Sequence, residues 1–165
     1  MNKYWKYIIF PRFLDAIKDC TFINMDDVDL TATLNNMMLD AIQKFPFCRV
    51  SLDYLEDTSY DPLDSEAYGY YFVDENIGEP EYFVLITIMK ELWVKSQITW
   101  DMNFKNPFFD KDIKGYSPAA MLTSMRNMAE AFEKDSNKAR FNYNRLASGK
   151  GGKRVSRWGE VNDRA

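Results

Sequence analysis

Residues 80–100 constrain this chain more than any other stretch. Tyr82, Leu85, Ile86, Ile88, Met89, Leu92 and Trp93 recur at helical spacing and fill one continuous arc, while Thr87, Lys90, Glu91, Lys95 and Gln97 take the other side. The pattern is an amphipathic helix of about residues 80–98. Pro80 suits its first turn, where a missing N–H costs nothing, and Glu79 and Glu81 sit where the positive end of the helix dipole favours carboxylates. One neighbour cannot cover so broad an apolar face, so at least two other helices are expected to pack on it. Lys90, Glu91 and Lys95 interrupt the run, which excludes a membrane span.

A chain of 165 residues reads as one domain able to remove about 70% of its unfolded surface from water. Cys20 and Cys48 stand far apart, with no CxxC and no histidine in the chain. That pattern fits reduced thiols in a cytosolic setting and excludes a disulfide scaffold or an ordinary zinc site. The opening MNKYWKYIIF has too short an apolar run for a secretory signal, and no small-residue cleavage site follows. A net charge of −4 conceals strong segregation. Residues 53–81 hold ten acidic and no basic side chains, whereas residues 134–165 hold nine basic and three acidic, a local +6. Such polarity bears on association: copies could stack head to tail, or each end could face a different partner.

In chain order, residues 1–20 form an aromatic arm with Tyr4, Trp5, Tyr7 and Phe10, then a short helix using Phe13, Leu14 and Ile17. It either docks on the chain's own core or reaches a neighbouring subunit, for which Trp5 and Phe10 are candidate contacts. A helix from about residue 30 to 45 follows, capped by Asp27 or Asp29 and stopped by Pro46. Asp26, Asp27 and Asp29 lack the glycine and distant glutamate of a calcium loop, so capping is their expected role. Cys48, Val50 and Leu52 alternate with polar residues, and residues 70–73 are β-prone, which predicts a two-stranded hairpin. Between the two runs lies an acidic loop whose Asp57, Asp61, Asp64 and Glu66 follow no metal-ligand spacing and are expected on a solvated face.

After a linker over residues 101–115, Ser117 and Pro118 mark a helix start. Met121, Met125, Met128, Phe132, Ala139, Tyr143 and Leu146 recur at spacings of three, four or seven, giving a helix about 40 Å long. Its methionine-rich first half is expected in the core and its polar second half is expected to project. The fold class is thus mainly α: a small helical bundle (residues 21–147) with a hairpin and acidic-loop insertion, an aromatic arm (1–20) and an extended basic tail (148–165).

That tail carries Lys150, Lys153, Arg154, Arg157 and Trp158 among four glycines, too flexible and charged to fold alone. A phosphate-binding loop fails on spacing, since Gly152-Lys153 is followed by Arg154 and position 147 is alanine. The tail reads as a peptide that orders on a partner surface, with Trp158 as anchor and the cations as steering; DNA phosphates are the competing use of the same charges. For catalysis there is no histidine, no paired cysteine, no nucleophile elbow and no paired helical carboxylates. Neither an enzyme nor a cofactor is expected.

The order of elements, from KFPFCRV through EPEYFVLITIMKELWVKSQ and YSPAAMLTSMRNMAEAFEKD to ARFNYNRL, resembles the head–tail adaptor (neck, or head-completion connector) proteins of tailed bacteriophages. The similarity covers about residues 34–146. Its most specific part couples Leu85, Met89, Trp93 and Gln97 of the central helix with the serine-started helix and its basic end, Arg140, Tyr143 and Arg145. The resemblance implies a virion subunit made in the host cytoplasm that forms a homo-oligomeric ring, commonly of twelve copies, at the head–tail junction. It would sit between the portal protein and the next tail or neck ring, around a channel through which DNA passes. It further implies that the C-terminal segment inserts into the portal, that Arg140, Tyr143 and Arg145 are candidate subunit contacts, and that the acidic loop faces the lumen or the tail. The alternative is a small nucleic-acid-binding accessory protein that uses the basic C-terminal region.

Overall fold

The computed structural model of the chain describes residues 4–17, 22, 25–58, 69–104 and 118–149. The architecture is mainly helical: α1 (Trp5–Ile8), α2 (Phe10–Ile17), α3 (Asp27–Gln43), α4 (Glu79–Phe104) and α5 (Pro118–Gly149), with strands β1 (Tyr54–Asp57) and β2 (Gly69–Phe72) between α3 and α4. α4 packs against α2, α3 and α5, so it is the hub that its broad apolar face requires. No described helix is long and apolar enough to cross a membrane.

Local chemistry explains the helix ends. Asp26, rather than the expected Asp27 or Asp29, accepts the Asp29 N–H at 2.8 Å and starts α3. At its other end the Lys44 and Phe45 N–H groups bond back to Asp40 and Ile42 before Pro46 forbids another turn. Gly78 precedes α4 and donates its N–H to Glu81 Oε2 at 2.9 Å, half of a capping box. α4 runs on to Phe104, so the first residues of the expected linker are helical. The expected cap Ser117 lies outside the described residues.

The buried face of α4 is turned relative to the arc read from the sequence. Val84, Leu85, Ile88, Met89 and Val94 are buried, but so is Glu91, whereas Tyr82, Ile86, Leu92 and Trp93 are half-buried. α5 is the cause, because it covers the side that carries Glu91. α5 packs along both halves: in the first, Ala129 is buried and Leu122, Met125 and Phe132 are half-buried. Met128 in the first half is 43% exposed, while Ser136, Ala139 and Tyr143 in the second half are buried, so the polar half is seated rather than projecting. Small Ser136 and Ala139 let the helix approach closely, and its polar groups find polar partners.

The hairpin is antiparallel, with Tyr54 opposite Phe72, Leu55 opposite Tyr71, Glu56 opposite Tyr70 and Asp57 opposite Gly69. Gly69 has φ +115°, a backbone conformation that L side chains rarely adopt. The first strand lies beyond the expected run of Cys48, Val50 and Leu52. That run is drawn instead to α5, since the Arg49 N–H donates to Tyr143 Oη at 3.3 Å and is taken out of any ladder.

The aromatic arm docks on its own chain. Trp5 stacks on Tyr70 (centroids 5.3 Å, 20°) and lies 5.2 Å from Phe72 and 5.5 Å from Tyr54, closing the inner face of the hairpin. Ile9, Phe10 and Phe13 continue this packing into the core formed by Leu34, Met38, Ala41 and Phe45 of α3 and its end. Arg12 then clamps Glu79 at the start of α4 with two bonds of 2.6 and 2.9 Å. Trp5 is 1% exposed, and its Nε1 has no hydrogen-bond partner among the described residues. Its contribution is therefore apolar packing, and Trp5→Ala is expected to cost about 3–5 kcal/mol in urea denaturation, whereas Trp5→Phe should cost distinctly less.

Candidate functional site

Two buried carboxylates on α4 hold the second half of α5. At the first turn, Glu81 Oε1 accepts the Tyr143 hydroxyl at 2.7 Å. Tyr143 is packed edge-on by Phe45 (5.1 Å), capped by the Arg49 guanidinium 4.7 Å over its ring, and approached by Cys48 Sγ at 3.6 Å. Burial and the bond to Glu81 push its phenol well above the usual tyrosine range. Burial likewise raises the Cys48 thiol, which therefore stays protonated near neutrality.

Ten residues further along, about 15 Å at helical rise, Glu91 is 3% exposed and gathers three donors. Lys95 Nζ lies at 2.8 Å, Lys44 Nζ at 3.2 Å and Ser136 Oγ at 2.5 Å. Burial by itself would raise this carboxyl; the bonds from Lys95, Ser136 and Lys44 outweigh it and hold the pKa at about 2. Lys95 also reaches Glu133 at 3.1 Å, and Arg140 donates to the Lys44 carbonyl at 3.0 Å, so α3, α4 and α5 meet in one polar network.

With Ser136 turned inward, the 3.6-residue period fixes what α5 shows to solvent. Lys134, Lys138, Phe141 and Arg145 lie within about 40° of the opposite direction, and all four are exposed, Phe141 at 65%. The salt bridges among the described residues involve none of these three cations. A second apolar spot lies on the hairpin face turned away from Trp5, where Leu55 (53% exposed) and Val73 (52%) stand beside Asp53, which is opposite Val73 and shares that face, with exposed Glu75 two residues beyond.

Of the predicted subunit contacts, Trp5, Phe10 and Tyr143 are in the chain's own core and present almost no surface to a second molecule in this conformation. Arg140 is half-buried and tied to the Lys44 carbonyl, which leaves Arg145 exposed. Asp57 is half-buried and accepts the Tyr4 hydroxyl at 2.9 Å. Asp61, Asp64 and Glu66 of the acidic loop, and Lys150, Lys153, Arg154, Arg157 and Trp158 of the tail, lie outside the described residues. Sequence reasoning missed the outward strip of α5, although Phe141 standing off the apolar arc was a signal for it. Among the described residues no cluster of three or more carboxylates or cysteines could hold a metal ion.

The depressed Glu91 pKa makes stability acid-dependent. Its contribution is complete above the ordinary glutamate value of 4.5 and is lost as pH falls towards about 2. Thermal unfolding from pH 6 to pH 2.5 should show this loss, and Glu91→Gln should flatten that part of the profile while lowering stability at pH 7. Tyr143→Phe strands the Arg49 N–H and is expected to cost about 1–3 kcal/mol at pH 7, read by chemical denaturation.

In comparisons with known proteins, no family model, no curated protein and no solved structure matches this chain.

Proposed function

We propose that the chain is a structural subunit of a phage head–tail connector, assembling as a ring of about twelve copies that docks on the portal protein and links capsid to tail around the DNA channel. The observation that carries this reading is the division of labour between inside and outside. Buried polar groups lock the helices into a stiff body, while Phe47, Phe83 and Phe141 stand well exposed on it. Exposed aromatic side chains are enriched in the buried centres of protein–protein interfaces, which supports an assembly role. The mainly helical architecture agrees with the resemblance carried by residues 34–146, and the charge segregation supplies ends of opposite sign.

In this reading the site is the virion head–tail junction. The basic tail, with Lys150, Lys153, Arg154, Arg157 and Trp158, inserts into the portal, and the acidic loop faces the channel or the next ring. No step of bond-making chemistry is assigned to the chain.

Purified chain mixed with the portal protein is expected to elute as one large complex and to show a ring on the portal by electron microscopy. A monomer that ignores the portal and binds duplex DNA with strong salt dependence would favour the nucleic-acid-binding alternative. Deleting residues 149–165 is expected to leave helical content and the thermal transition in place while abolishing portal attachment. Attachment that survives the deletion would refute the tail's docking role.

A further inference from the structure

We infer that the outward strip of α5 on one copy seats on the outer face of the hairpin of the next, so that the occupant of both surfaces is a second copy of this chain. The two patches have matching construction and opposite sign. Phe141 stands exposed among Lys134, Lys138 and Arg145, and Leu55 with Val73 stands exposed beside Asp53 and Glu75. Each is an apolar anchor with a charged rim, the arrangement in which the anchor supplies binding energy and the rim supplies orientation and rate.

Two further observations favour one copy meeting another in this way. Both patches sit on elements tied into the same packed body, α5 through Glu81 and Glu91 and the hairpin through Trp5, so neither must be ordered on binding. Among the described residues no salt bridge joins the strip to the hairpin carboxylates within one chain. Because the two surfaces differ, the contact is head-to-tail, the type that closes rings when the rotation allows. The inference rests on the ring-subunit reading for its biological setting and on geometry alone for the contact.

The test uses the full chain in analytical ultracentrifugation at low and high salt. Wild type is expected to self-associate, less so at high salt. Lys138→Glu with Arg145→Glu, Asp53→Lys with Glu75→Lys, and Phe141→Ser should each weaken association by at least about tenfold, with circular dichroism unchanged. An equimolar mixture of the two charge-reversed proteins should regain association, since each strip again faces a hairpin of opposite charge. Wild type that stays monomeric at millimolar concentration in low salt would overturn the inference. So would charge-reversed proteins that associate normally, a mixture that regains nothing, or a reversed strip that loses only duplex DNA binding. Rings that still form on the portal with the reversed strip would reject this contact but keep the ring-subunit reading. Intact self-association with no portal engagement would do the opposite.

Discussion

The structure turns on a carboxylate that has been taken out of water. An ionised glutamate between helices is tolerated only if donors surround it, because isolated burial of its charge would cost far more than the marginal stability of a domain. Glu91 meets that demand from three directions: Lys44 at the end of α3, Lys95 on its own helix and Ser136 on α5. Satisfying one group thus fixes how three helices lie against each other. Apolar packing of Leu85, Ile88 and Met89 is permissive about the rotation of a neighbour; a short bond from Ser136 is not.

Fixing that rotation has a consequence on the other side of the helix. Once Ser136 faces inward, residues two, five and nine positions away must face outward, and Lys134, Lys138, Phe141 and Arg145 become one surface. The buried network and the exposed strip are two readings of a single helical phase. Glu81 and Tyr143 repeat the device two turns further along α5, where Arg49 and Phe45 enclose the phenol. Core and candidate interface therefore cannot vary independently in this protein.

What could be read from the residues follows from how local each signal is. The central helix, the proline stop at residue 46 and the long final helix rest on periodicity and breakers, which act within a few residues, and the structure has all three. The first strand and the seating of α5 do not rest on local signals. Cys48 and Arg49 look strand-like until Tyr143, more than ninety residues away, engages the Arg49 backbone. Residues 133–145 look like a projecting polar helix because nothing nearby announces that Glu91 awaits Ser136. The aromatic arm left its destination open on sequence alone, and the geometry of Trp5 between Tyr54, Tyr70 and Phe72 resolves it in favour of the chain's own hairpin.

The ribbon itself is lopsided. Tyr4 makes a single antiparallel bridge to Tyr71, laying main chain along the outer border of β2, while β1 borders no further strand among the described residues. An uncovered border is an invitation to further main-chain pairing, and a covered one is not. The Tyr4 bridge consequently occupies the β2 flank at Tyr71, so lateral growth of the ribbon past that point would have to displace the arm.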